Sequence, residues 1–196
     1  VLASYLCGHD TVLESMEDPL ICSFVKKTIY DEVIPTLTLP KEDLAEFAEA
    51  VITRFFNPYV KHALLSISLN SVSKWRARCM PSFLSYAKKE GKLPKRLTFS
   101  LAALMAFYTG SEIRDKALIG SRDAAEYRIM DDAAVLEFFA AHSGEHVDAY
   151  TEAVLSNEAF WGEDLRWISG AKAAVALYLT DIRTLGMRGA LEKYFG

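Results

Sequence analysis

Apolar positions along the 196-residue chain recur mainly at spacings of three and four, the period of a helix that buries one face. The clearest case is KEDLAEFAEAVITRFF (41–56). Leu44, Phe47, Ala48, Val51, Ile52 and Phe55 form one apolar stripe there, and acids occupy the first turn, where they complement the helix dipole. Asp18-Pro19 is a capping residue followed by a first-turn proline. It predicts a helix over LICSFVKKTIYDEV as far as Ile34, where Pro35 stops it. TLTLP then serves as a short extended linker. Asn57-Pro58 is a second cap–proline pair and predicts a long helix up to Met80-Pro81, with 69–73 as its one candidate interruption. SFLSYAKKEG predicts a helix ending at Gly91, and LPKRLTFSLAALMAFYTG a mostly buried one. Asp131 and Asp132 are placed to cap DAAVLEFFAAH, and Ser143 to cap a helix around EHVDAYTEAVLSN. The tail 165–195 is helical, with Gly170, Gly186 and Gly189 as candidate breaks. Residues 110–130 have the least pattern and predict an exposed irregular stretch. No strand alternation, hairpin dipeptide or repeat is visible. The expectation is an all-α, multi-helical domain over 1–196.

Composition fits one ordinary core: 51% of residues are hydrophobic and 24% charged. No apolar run approaches the roughly 20 residues that span a bilayer, and no basic, then apolar, then small-residue leader opens the chain. Cys7, Cys22 and Cys79 are odd in number and scattered, which fits a reduced, cytoplasmic setting. VLASYLCG begins in mid-run without Met or a capping residue. The expectation is a piece cut from a longer protein, a removed Met or tag being the other explanation. Net charge is −4 but uneven. From Ala50 to Lys89 there is no acid, while Arg54, Lys61, Lys74, Arg76, Arg78, Lys88 and Lys89 all fall there. A basic segment in an acidic chain points to an anionic partner.

Several chemistries find no support. There is no GxGxxG, GxxxxGK[ST] or GxSxG, so any nucleotide-binding domain lies outside this chain. His142-Ser143-Gly144-Glu145-His146 matches HxxEH, but zinc needs both histidines on one helix face and Ser-Gly breaks the helix between them. A helix–helix junction and no metal is the expectation. Phe55, Phe56, Trp75, Trp161 and Trp167 are read as packing residues. Few cations and net negative charge argue against nucleic acid.

One row does stand out in NPYVKHALLSISLNSVSKWRAR (57–78). His62, Ser66, Asn70, Lys74 and Arg78 recur at every fourth position, one inclined ridge on a continuous helix. Val60, Ala63, Leu64, Leu65, Ile67 and Leu69 flank it, so the helix is expected to be largely buried. Buried polar groups need partners. Either other helices supply them and the two cations reach the surface, or the row lines a pocket for a ligand with hydroxyls and an anionic group. The absence of acids from 50 to 89 favours the pocket.

RFFNPYVKHALLSISLNSVSKWRARCMP, with YLCGHDTVLESMEDPLICSF and EVIPTLTLP, resembles the C-terminal domain of the long-chain mannitol dehydrogenase family, most closely its tagaturonate reductase (altronate oxidoreductase) branch. The resemblance is specific over about residues 1–81. It implies a helical domain similar to the C-terminal domain of 6-phosphogluconate dehydrogenase, partnered in the whole protein by an N-terminal dinucleotide-binding domain. It implies NAD as cofactor, no metal, and interconversion of altronate and tagaturonate in hexuronate catabolism. The family's K-x4-N-x2-H residues for proton transfer would precede Val1, so this chain alone is expected to be inactive. Lys74 stands where the family has a substrate-contacting lysine. Asn70 stands where polyol-specific relatives carry an acid, and Ser66 where they often have an arginine, departures that weaken a polyol alcohol as substrate. Lys74 and Arg78 are thus expected to hold a carboxylate, and His62, Ser66 and Asn70 to meet hydroxyls, with Arg54 and Arg76 structural. Fructuronate reductase, mannitol dehydrogenase and a non-enzymatic helical interaction domain are the other readings.

Overall fold

The computed structural model describes residues 1–196 and is mostly helical. In chain order the elements begin with α1 (Leu2–Leu6), α2 (Val12–Glu17), α3 (Pro19–Lys27), α4 (Lys41–Phe55), α5 (Leu64–Ile67), α6 (Ser71–Arg78), α7 (Met80–Glu90) and α8 (Lys95–Phe107). A small sheet of β1 (Ile113–Arg114), β2 (Ala117–Arg122) and β3 (Ala125–Ile129) follows, then α9 (Ala133–Ala141), α10 (Val147–Leu155), α11 (Glu158–Trp161) and α12 (Ala171–Phe195). The capping chemistry explains several starts. Asp18 accepts from the Leu20 and Ile21 amides at the head of α3. Gly91 ends α7 in the left-handed conformation that glycine adopts without strain. α3 runs on as one π-helical stretch (Thr28–Val33) before Pro35 tightens the chain into a 3₁₀ turn.

The core is organised around α8, of whose thirteen residues ten are buried. α1 and α12 pack on it. Phe99 meets Phe24, Tyr178 and Phe195, while Phe107 meets Tyr5 and Tyr127. α8 follows Pro94 and has no capping side chain of its own. The π stretch supplies one from a distance. Buried Glu32 accepts from the Arg96 and Leu97 amides at 2.8 Å each, satisfying first-turn donors that would otherwise be orphaned. α12 bends at Gly186, whose φ of 74° and ψ of 166° belong to a region essentially reserved for glycine. Asp181 ties the two limbs by accepting from Lys193 and Tyr194. Gly170 precedes the helix and Gly189 lies inside it without a break.

Residues 110–130 correct the sequence reading. They form an antiparallel meander in the order β1-β2-β3. Both turns are two residues long, Asp115-Lys116 and Asp123-Ala124, and all four residues have positive φ, the twist that closes tight hairpins. Neither turn has the glycine that usually announces one. Gly120 pairs across the sheet with Tyr127, and a Cβ at 120 would stand 2.5 Å from that ring. The tyrosine hydroxyl donates to Phe107 O at the end of α8, so the sheet is bolted to the core. From β2, Arg122 stacks on Tyr5 and donates to Tyr5 O, His9 O and Asp10.

The segment 37–69 is different. α4 buries Leu44, Ala48 and Ile52, while Phe47, from the same apolar stripe, is 64% exposed. Leu37, Leu39, Phe56, Tyr59, Val60 and Leu69 are exposed too. No helix is long and apolar enough to cross a membrane.

Candidate functional site

The helix expected from 58 to 80 is broken twice. Asn57 does accept through its side chain, but from Tyr59 N, so it makes an Asx-type turn rather than a helix start. The next residues return to the N-terminal region. Thr11 and Ala63 form an antiparallel bridge, with Val12 N donating to His62 O at 3.0 Å and Leu64 N to Asp10 O at 2.8 Å. α5 is a single turn. Asn70, with φ of 54°, then breaks the path before α6.

The ridge therefore divides. His62 lies exposed in the bridge segment and Ser66 exposed on α5. Asn70 is the exposed N-cap of α6 and makes no side-chain cap bond. Lys74 and Arg78 stay one turn apart on α6 and line the same cavity of about 230 Å³. The expectation of a largely buried row is corrected: Lys74 is half-buried and the other four residues are exposed. The physical reason is the left-handed turn at Asn70, which ends the shared face.

The cavity has an apolar floor and a polar rim. Leu2, Phe24, Ala103 and Leu104 contribute to the floor, while Ser71, Ser100 and Cys79 join the two cations. Lys74 Nζ donates to Ile67 O at 3.1 Å, the carbonyl end of α5. An ammonium has three donors, so two remain. No acidic residue lines the cavity, which leaves the site electropositive. Burial pushes the Cys79 thiol up to about 11, so it is a neutral lining group. Trp75 sets the back wall: it packs on Phe83 and Trp161, and its Nε1 donates to Ser100 at 2.9 Å. Val1, at the head of α1, lines the same cavity. Ser100 and the α8 floor escaped the sequence reading. The one available signal was a serine inside an otherwise apolar helix run.

The remaining candidates fall outside. Arg76 lies against Gly162, where a Cβ would come within 2.4 Å of its guanidinium. Arg54 bonds back to Ala50 O on its own helix. The HxxEH stretch straddles the break between α9 and α10, with His142 on Glu145 and His146 exposed. It is a helix–helix junction, whose N-cap is His146 rather than Ser143. Trp75 and Trp161 pack in the core, but Trp167 is 66% exposed and bonded to Glu163, because the turn after α11 points it outward.

A family model described as the mannitol dehydrogenase C-terminal domain matches residues 1–182. The altronate oxidoreductase of Klebsiella pneumoniae (strain 342) is 44% identical over 198 residues, covering 98% of this chain and 39% of the relative. That of Yersinia enterocolitica is 42% identical over 200 residues, with 99% and 39% covered. The chain thus spans about two fifths of the length of the curated relatives it matches. Pseudomonas fluorescens mannitol 2-dehydrogenase, solved as a ternary complex with NAD and D-mannitol, superposes with a TM-score of 0.75 at 21% identity, over 98% of this chain and 37% of that one. A substrate-free D-sorbitol dehydrogenase gives 0.76 at 20% identity, over 97% and 37%. These two likenesses establish the fold.

Proposed function

The chain belongs to the mannitol dehydrogenase family as its C-terminal domain, and from that premise we propose that it forms the substrate-binding part of an NAD-dependent tagaturonate reductase/altronate oxidoreductase. The observation that carries the proposal is the pair Lys74 and Arg78 on the rim of one acid-free cavity. Two cations one helical turn apart suit a carboxylate, which accepts charge-assisted hydrogen bonds at both oxygens. Asn70, like His62 and Ser66, does not line the cavity, and all three are left out of the proposed contact set.

The cofactor does not fit this chain. Its sheet is a short antiparallel meander, whereas a dinucleotide sits on a parallel strand, glycine-rich turn and helix start. NAD is therefore assigned to the remaining three fifths of the relatives' length, and no step is routed through it here. Val1 lines the Lys74–Arg78 cavity, which sets the edge of the site beside the start of α1. The apolar surface of 37–69 offers that larger part something to cover. Within the site, this chain's residues bind and orient the acid end of the substrate. Proton transfer belongs to groups outside 1–196.

The test uses the full-length oxidoreductase that carries this chain. Lys74→Ala lowers kcat/KM for tagaturonate at least tenfold, about 1.4 kcal/mol; wild-type kinetics would sink the assignment. NADH oxidation rates with tagaturonate, fructuronate and fructose decide the substrate, and a preference for fructose would remove the carboxylate role.

A further inference from the structure

α6 carries Lys74, and its first turn is tied to the preceding chain by Ser71, whose hydroxyl donates to Ser68 O at 2.6 Å. Asn70 makes no capping bond with its side chain. A second anchor comes from the exit of the small sheet. Asn70 N donates to Met130 O at 3.0 Å, one residue beyond β3. The next residue, Asp131, accepts from the Tyr108 hydroxyl. Tyr108 is 1% exposed, closes α8 and lies against Phe107 and Phe139. Its hydrogen bond to Asp131 pins the residue next to the Met130 carbonyl that holds Asn70 N. Lys74 N then donates to Asn70 O at 3.1 Å, and Lys74 Nζ is held on Ile67 O. A continuous path of hydrogen bonds thus runs from the sheet exit to the ammonium.

We propose that Tyr108 and Asp131 are positioning residues for Lys74: their hydrogen bond fixes the sheet exit at Met130, whose carbonyl holds Asn70 at the head of α6, and through it the reach of the lysine into the cavity. The inference rests on the substrate reading of Lys74 given above. Burial and then the Asp131 charge push the Tyr108 hydroxyl well above its ordinary range, so it remains a donor to Asp131 at any working pH. Neither residue lines the cavity, so an effect on substrate must travel through α6.

A double-mutant cycle in the full-length enzyme tests this. Tyr108→Phe raises KM for tagaturonate about fivefold, with kcat within about twofold and KM for NADH unchanged. Asp131→Asn, which keeps an acceptor, repeats the change more weakly and serves if Tyr108→Phe does not fold. Combined with Lys74→Ala, either variant adds less than about twofold, because its effect is already spent. Full additivity with Lys74→Ala, or an unchanged KM, overturns the positioning role while leaving the lysine assignment intact. Wild-type kinetics for Lys74→Ala alone bring down both.

Discussion

α4 and α8 are helices of fifteen and thirteen residues, each with enough apolar side chains to fill a core. The chain completes only one of them. α8 is enclosed on nearly every side, capped by Glu32 and ringed by aromatic contacts. α4 has one row against the body and turns Phe47 outward, and the loop after it exposes Phe56, Tyr59 and Val60. Seven of the thirteen exposed large hydrophobics fall within 37–69, too many for scattered surface residues. The difference teaches that apolar spacing declares a wish for a partner and not who the partner is. For α8 it is the rest of this chain. For the 37–69 arm, the proposal is the larger part of the relatives' length.

The comparison breaks most sharply on truncation. Phe99→Ala in this chain should cost about 3–5 kcal/mol in urea unfolding, and Tyr59→Ala, 93% exposed, less than about 0.5 kcal/mol. A loss at Tyr59 matching that at Phe99 would mean that the arm is as finished as the core. An intermediate effect belongs to Asp18, at the head of the helix that leads toward the arm. It accepts from His9, Arg188 and two α3 amides, and Asp18→Asn should cost about 1–2 kcal/mol at neutral pH. Burial alone would raise this carboxyl, but the bonds from Arg188 and His9 outweigh it and hold it below its ordinary 3.8. The unfolded chain therefore binds this proton first as pH falls. The stabilisation is complete above the ordinary value and disappears as pH drops through the lower folded one. Denaturation at a series of acid pH values should show that slope in the native chain and its absence in Asp18→Asn. The smallest effect is a gain. Ala124 holds a left-handed conformation in the β2–β3 turn, so Ala124→Gly should stabilise by up to about 1 kcal/mol, read as a small rise in Tm.

Helices were legible because their stripes and caps are local: Asp18-Pro19, Gly91 and the α4 spacing all act within a turn or two. The sheet was hidden because its turns use Asp-Lys and Asp-Ala, so their positive φ has no glycine to signal it. The stretch 57–70 was misread for a related reason. Asn57-Pro58 has the letters of a helix start, but pairing with residues 10–12 decides its path, and such a long-range contact leaves no local trace. Lys74 and Arg78 could be joined from sequence because both lie on the unbroken α6. His62 and Ser66 could not be separated from them without knowing that Asn70 turns left-handed. Trp167 misled in the opposite sense, since an indole promises burial and the turn after α11 denies it.

The bridge between Thr11 and Ala63 has a consequence in time. At one end of the arm, Thr36 bonds to Ser82 on α7; at the other, two backbone hydrogen bonds join 10–12 to 62–64. Everything between is tethered at both ends yet touches the body mainly through the buried row of α4 and a bond from the Tyr30 hydroxyl to Glu49. Such a segment opens and recloses as a unit while the interior stays shut. Its amides should therefore exchange with solvent far sooner than those of α8, giving the molecule a fast clock and a slow one.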